Sequence, residues 1–573
     1  MNTRIQSIAN ERAPNRWQSA LFECKAWTFR IRRAVLDQLH GQRTPRHVRG
    51  NALRDAPVLA EYEGMLWPWD EPDDTLVVGK IHNLRLATRQ FHGLEIQAGT
   101  IFSFWKQLGR ASAARGFVRG RELREGCVIP AIGGGLCQLS NAIYDTAVRG
   151  GLEVVERHRH SRVLPGSLAE FDRDATVFWN YLDLRLRAPF AWRLEIDLDA
   201  DRLNVRIRAA TKQAAIVHPV SLRTHTADAA GDCATCDEQD CHRHVGQQTL
   251  HRHRTWLFVE PWPEFLALLE RERGENDRVI GLHAQNRRSR FASFARLHAA
   301  LCTRWALLRG QPLPKARFDG LEVTARAIAK SLRPDDLHLV VAQGLLPYMW
   351  RDGELAGRRF DVLMSALPMD AIQQRLDAAA TQHRDCKTLR DFRAPIDLLE
   401  AEREALAHAT RWISPHPQVL ALAGSRAEPL DWFAAKSYAA RAADGCARPT
   451  ILFPASALAR KGVLEFADAL QGLPVCVLAP PGAAESDTVW ANVAVERVAS
   501  IDAGLARANL VVLPAWIEHQ PRALLAAIAR GIPVIATAAC GLPLSTLWDC
   551  VPEGDAGALR RAIVRRLGMR DEG

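Results

Sequence analysis

The chain has 573 residues, too many for one hydrophobic core, and should divide into three or four domains. Hydrophobic residues make up 47% and charged residues 24%, a globular balance that excludes a chain disordered along most of its length. The net charge of +10, carried mostly by arginine, favours anionic partners, although arginine enrichment spread over the whole length accounts for it equally well. No arginine block forms a nucleic-acid arm, so nucleic acid is not expected as a partner.

The first forty residues carry a charge every few positions and lack an apolar core, unlike a secretory signal. No run of eighteen apolar residues occurs, so no transmembrane helix is expected. We expect a cytoplasmic chain, with at most peripheral membrane contact, whose twelve cysteines stay reduced. Clustered thiols then point to metal binding or catalysis.

Residues 1–75 read as a mostly helical polar extension that ends in a Trp/Pro-rich connector at 66–72. Residues 76–210 read as a mixed α+β domain. Within it, apolar residues at 136, 139, 143 and 147 predict an amphipathic helix, stopped by Gly150 and Gly151. Strands are predicted at 175–179, 192–198 and 203–208.

Gly133, Gly134 and Gly135 directly precede that helix and free the backbone for a tight turn with exposed N–H groups. Cys137 falls in the first turn, where the helix dipole favours a thiolate and nearby N–H groups suit an oxyanion. His160 and then Asp174 follow, the chain order Cys–His–Asp of papain-like and transglutaminase-like thiol enzymes. A small buried cysteine in an amphipathic helix fits these residues as well.

Five ordered segments give this region a family likeness. They are 83–87 (NLRLA), 99–104 (GTIFSF), 133–138 (GGGLCQ), 156–161 (ERHRHS) and 174–177 (DATV). Together they resemble the VanW family, named for an accessory protein of vancomycin-resistance clusters. The resemblance singles out Cys137, Gln138, His160 and Asp174 without supplying a reaction.

Residues 221–250 form a polar Cys/His-rich module. Cys233, Cys236, Cys241 and His244 lie within twelve residues, with His242 as an alternative fourth ligand. Three thiols and an imidazole suit a closed tetrahedral Zn²⁺ site of structural type; an iron–sulfur cluster and unliganded thiols are the alternatives.

From 278 onward, short apolar runs alternate with helical stretches, which predicts parallel α/β sheets in two Rossmann-like halves, 278–440 and 441–573. Arg460 and Lys461 beside a helix start make a physical anion site, or else a solvated helix end. The region resembles GT-B glycosyltransferases of the family 4 (group 1) type, most clearly at 451–463 and 511–537. The resemblance implies a nucleotide-sugar donor held by Arg460, Lys461 and Glu518, and transfer to a glycan or cell-envelope acceptor. Two positions depart from the family pattern: Ala526 stands where a second Glu is usual, and Ser456 where an Arg is usual.

Overall fold

The computed structural model describes residues 16–39, 44–67, 75–124, 127–160, 167–210, 231–232, 252–260, 262–281, 304, 308–309, 313–391, 393–433, 448–486 and 488–569. The chain forms two compact units. One comprises residues 1–252 together with the short segments 333–337 and 352–359, and the other comprises 253–332, 338–351 and 360–573.

The first unit is built on a five-stranded antiparallel sheet. Its strands run in the order Val48–Arg49, Leu94–Ile96, Trp192–Leu198, Arg202–Arg208, Val58–Met65. Alternation makes this sheet one-sided: Leu203, Val205 and Ile207 are fully buried, while the residues between them face outward. Two helices cover the buried face. Thr75–Phe91 contributes Ile81, Leu84, Ala87 and Phe91 at helical spacing, and Leu136–Arg149 contributes Leu139, Ile143 and Ala147. The leucine, isoleucine and phenylalanine side chains among these each contribute about 1.5–3 kcal/mol on burial.

Two three-stranded sheets complete the unit. Ile101–Ser103, Arg185–Arg187 and Glu153–Glu156 form one of them; the hairpin Arg119–Arg124/Cys127–Ile132, joined by Gly231–Asp232, forms the other. Among the described residues of the helical extension expected before residue 76, Arg16–Leu39 is helical. Residues 48–49 and 58–65 are strands of the main sheet. The signal was hidden because Glu61 and Glu63 pair with Arg206 and Arg202 on a strand some 140 positions away.

The second unit holds two six-stranded sheets. The first runs Arg278–Ile280, Arg254–Leu257, His338–Ala342, Arg359–Leu363, Trp412–Ser414, Ala427–Pro429. The second runs Val495–Arg497, Cys476–Ala479, Thr450–Leu452, Leu510–Leu513, Val534–Thr537, Trp548–Val551, all pairs parallel. In chain order the second sheet reads 3-2-1-4-5-6, the doubly wound Rossmann arrangement. The α/β part thus begins at Arg254, ahead of the expected 278. Helices such as Val463–Ala469, Arg522–Ala529 and Ala556–Leu567 pack around that sheet and share its apolar core.

Candidate functional site

The turn before Cys137 is fixed by its glycines. Gly133 and Gly135 have φ of 80° and 101°, in the left-handed region. A Cβ on Gly134 would lie 2.3 Å from the Gly120 carbonyl oxygen, so no side chain fits between the turn and the neighbouring hairpin. Asn83, fully buried, donates to the carbonyls of Gly134 (2.9 Å) and Val118 (3.0 Å) and accepts from the Val118 N–H (2.9 Å). The helix Leu136–Arg149 therefore starts at a set point, with Cys137 in its first turn.

The stretch carrying Asp174 is tied to that helix. Ser140 Oγ donates to the Ala175 carbonyl (2.5 Å), and Asn141 Oδ1 accepts from the Ala175 N–H (2.8 Å). The stretch carrying His160 lies alongside, with the Thr176 N–H donating to the His158 carbonyl (2.8 Å). Asp174, fully buried, accepts at Oδ2 from the His160 backbone N–H (2.6 Å) and lies 2.7 Å from His160 Nδ1. His160 and the half-buried Cys137 act on one another electrostatically. The Cys137 sulfur is also 3.8 Å from Thr176 Oγ1 and from the Val177 carbonyl. The three residues singled out in the sequence thus gather at one place, with Asp174 bonded to His160 and His160 coupled to Cys137.

The charges follow from this geometry. Burial pushes the Cys137 thiol up, but the hydrogen bond and charge of His160 outweigh it, and the thiol ends below its ordinary value. Burial pushes His160 down, yet Asp174 and Cys137 raise it to about 9. Burial also opposes the charged form of Asp174, and its bonds to His160 nevertheless hold it below the usual carboxylate range. The arrangement shifts both groups toward the thiolate–imidazolium pair.

Sequence reasoning missed Arg157. Its Nε donates to the Asp174 carbonyl (2.7 Å) and its Nη2 to Asp174 Oδ1 (2.9 Å). The same Nη2 reaches Asp172 Oδ1 (2.8 Å), and the guanidinium carbon lies 4.9 Å from the ring centre of Tyr144. The alternating run Arg157-His158-Arg159-His160 was its only sequence signal. His158 turns away to Glu156 (3.0 Å), and Gln138 faces outward and donates to the Met65 carbonyl (2.7 Å), so neither joins the other three.

In the second unit, Arg460, Lys461 and Glu518 come together at the strand-order switch of the Rossmann-like sheet. Lys461 follows strand Thr450–Leu452, Glu518 follows its neighbour Leu510–Leu513, and their side chains pair at 2.9 Å. Crevices at such switch points are where open α/β sheets take ligands. Gly462, at φ 75°, lets the turn pass the Pro514 carbonyl, which a Cβ would approach to 2.0 Å. Backbone N–H groups of Trp516 and Ile517 both donate to the Arg460 carbonyl (3.1 and 3.3 Å), locking the two loops together. Burial pushes the Arg460 guanidinium down from its usual value.

Several groups absent from the sequence reading surround the Lys461–Glu518 pair. Arg375 donates to the Trp516 carbonyl (3.2 Å), and His416 Nε2 lies 3.3 Å from the Glu518 carbonyl. His519 is pushed down to about 3 by burial, then by His416, Lys461 and Arg375. Ala526 faces the apolar core at 5% exposure, so a carboxylate there would be buried among hydrocarbon on this backbone.

Cys233, Cys236, Cys241 and His244 lie outside the described residues. Among the described residues no group of three or more His, Cys, Asp or Glu is placed to hold a metal ion, and the zinc expectation finds no support. No helix among the described residues is long and apolar enough to cross a membrane.

Residues 79–209 match the family model described as "VanW like protein", and the first unit contains a VanW-like domain. The vancomycin B-type resistance protein VanW of Enterococcus faecalis is 28% identical over 129 residues, which cover 22% of this chain and 47% of that protein. The uncharacterized protein YoaR of Bacillus subtilis is 29% identical over 106 residues, covering 18% and 34%. The chain thus spans about a third to a half of the length of these curated relatives. Among solved structures, the sucrose-phosphate synthase of Thermosynechococcus elongatus overlaps 44% of this chain and 69% of its own, at 19% identity and a TM-score of 0.35. Anabaena HepE in complex with UDP-glucose overlaps 55% and 90%, at 15% identity and a TM-score of 0.33. Overlaps as loose as these carry no argument about activity.

Proposed function

We propose that the VanW-like domain is a thiol-dependent acyl-transfer or amide-cleaving centre acting on a peptide or peptidoglycan-like substrate. The observation that carries this reading is the buried His160–Asp174 hydrogen bond beside Cys137, whose charged form His160 favours. In it the Cys137 thiolate attacks a carbonyl carbon, forming a C–S bond. The imidazolium of His160 gives its proton to the leaving amine as the C–N bond breaks. Water or an acceptor amine then attacks the thioester, returning a proton to His160 and releasing Cys137. Asp174 keeps Nδ1 occupied, which leaves Nε2 for these transfers.

The test uses the full chain and p-nitrophenyl acetate. An initial burst with an acetyl group on the Cys137 peptide by mass spectrometry is the expected result, absent in Cys137→Ala and slowed at least tenfold in His160→Gln. Acetylation no faster than at the exposed Cys24 would overturn the reading.

A second reading concerns the α/β unit, where Lys461 and Glu518 converge at a topological switch point. That placement supports a nucleotide-sugar site, with Arg460 and Lys461 on the diphosphate and Glu518 on the sugar, serving transfer to a glycan or cell-envelope acceptor. Calorimetry with UDP- and GDP-sugars tests it. Binding that Lys461→Ala weakens at least tenfold is expected, and no heat with any donor would refute it.

A further inference from the structure

We infer that Arg157 is a positioning residue of the thiol site, which keeps Cys137 ionised by holding Asp174 in place and balancing the charge of the buried group. The inference rests on the thiol reading above. Asp174 has no access to solvent, so each of its lone-pair sites must find a partner in the protein. The His160 backbone N–H and ring take Oδ2; Arg157 takes Oδ1 and the residue's own carbonyl. With Oδ1 engaged, the carboxylate is fixed with Oδ2 on the imidazole.

The charge count leads to the same residue. A thiolate, an imidazolium and a carboxylate together carry a net charge of −1, which is costly to bury. The Arg157 guanidinium, itself only 11% exposed, brings the set to neutral. The other charged groups nearby are engaged elsewhere. Asp172, in left-handed backbone at φ 55°, is shared between Arg157 and the more exposed Arg159. On the thiol's own helix, Asp145 is held by Arg149 (2.7 Å) and Arg173 (3.7 Å). Beyond His158, Glu156 is taken up by Arg33 and Arg185. Tyr144, from the same helix as Cys137, lies against the Arg157 guanidinium and keeps it at a set distance from the site.

Removing this one cation destabilises every anionic form around it. The thiol should then ionise at higher pH while the imidazolium survives to higher pH, so both limbs of the reactivity profile move upward.

The experiment is the pH dependence of Cys137 carboxymethylation by iodoacetate in the full chain, read on the Cys137 peptide. The anionic reagent favours the thiolate–imidazolium pair and gives a bell in the wild type. Arg157→Gln should raise the acid limb by about one pH unit, a tenfold loss of thiolate below it. Arg157→Lys, which keeps the charge, should recover most of that shift. Asp172→Asn, which removes an anion from the same guanidinium in place of the cation, should not raise either limb. A wild-type bell with Arg157→Gln limbs unmoved would overturn the inference while leaving the thiol reading intact, even if the melting temperature fell. Limbs that shift equally in Asp172→Asn would reduce Arg157 to a turn fastener and overturn it too. A wild type with no bell and an ordinary thiol profile would instead refute the thiol reading itself.

Discussion

At the residue scale, the pairing of Cys137 with His160 sets a pH signature for stability. His160 is raised from 6.5 to about 9, so its contribution is full below 6.5 and lost as pH rises through about 9. Cys137 is lowered from 9.0, so its contribution is full above 9 and lost as pH falls through its folded value. As the pH rises between these limits the histidine's contribution falls while the thiol's grows. The difference in urea midpoint between the wild type and Cys137→Ala should therefore vary with pH across this range. A difference between the two proteins that does not vary with pH would contradict the ion pair. The residues of this site were legible in the sequence as types in an order. Arg157 was not, because an arginine among seventy-five Lys and Arg residues gives no local sign that its partner is a buried carboxylate.

At the element scale, two glycine turns place the two candidate sites. Gly134 passes the hairpin at Gly120, and Gly462 passes the strand end at Pro514, each too close for a Cβ against fixed backbone. Gly134→Ala and Gly462→Ala should each cost about 2–4 kcal/mol, because the clash is with main chain and the turn must move. The first should also slow Cys137 alkylation, and the second should leave it unchanged; thermal melts with peptide-level alkylation separate the two. Helices and buried strands were readable from their periodicity, as at Leu136–Arg149 and Leu510–Leu513. The strand Val58–Met65 was not, since its outward charges are satisfied only by Arg202 and Arg206 on its distant partner.

At the scale of the whole molecule, the first unit does not close with its own contiguous stretch of chain. Arg85, 1% exposed on the helix Thr75–Phe91, donates to the carbonyls of Ala356 and Gly357, and Arg89 pairs with Glu354 (2.8 Å). A truncation after residue 252 removes these partners and leaves Arg85 with unmet hydrogen bonds. It should be less stable than the same unit in the full chain by about 1.5–3 kcal/mol, the range for lost hydrogen bonds to a charged group. Hydrogen exchange of peptides from the strand Trp192–Leu198 in increasing denaturant would show it. Equal midpoints would mean that the first unit closes without residues 352–359.

The sequence alone determined the mixed α+β domain with its glycine turn and Cys–His–Asp order, and the alternation that implies parallel sheets downstream. Those features are local: period, punctuation and residue type survive in one dimension. Only the tertiary structure decided which carboxylate meets which histidine, that Arg157 bonds to the buried Asp174, and that Lys461 and Glu518 face one another across a switch in strand order. It also decided that residues 352–359 belong with the VanW-like domain. Each of these depends on contacts between residues far apart in the chain, and on burial that turns an ordinary charge into one that must be matched.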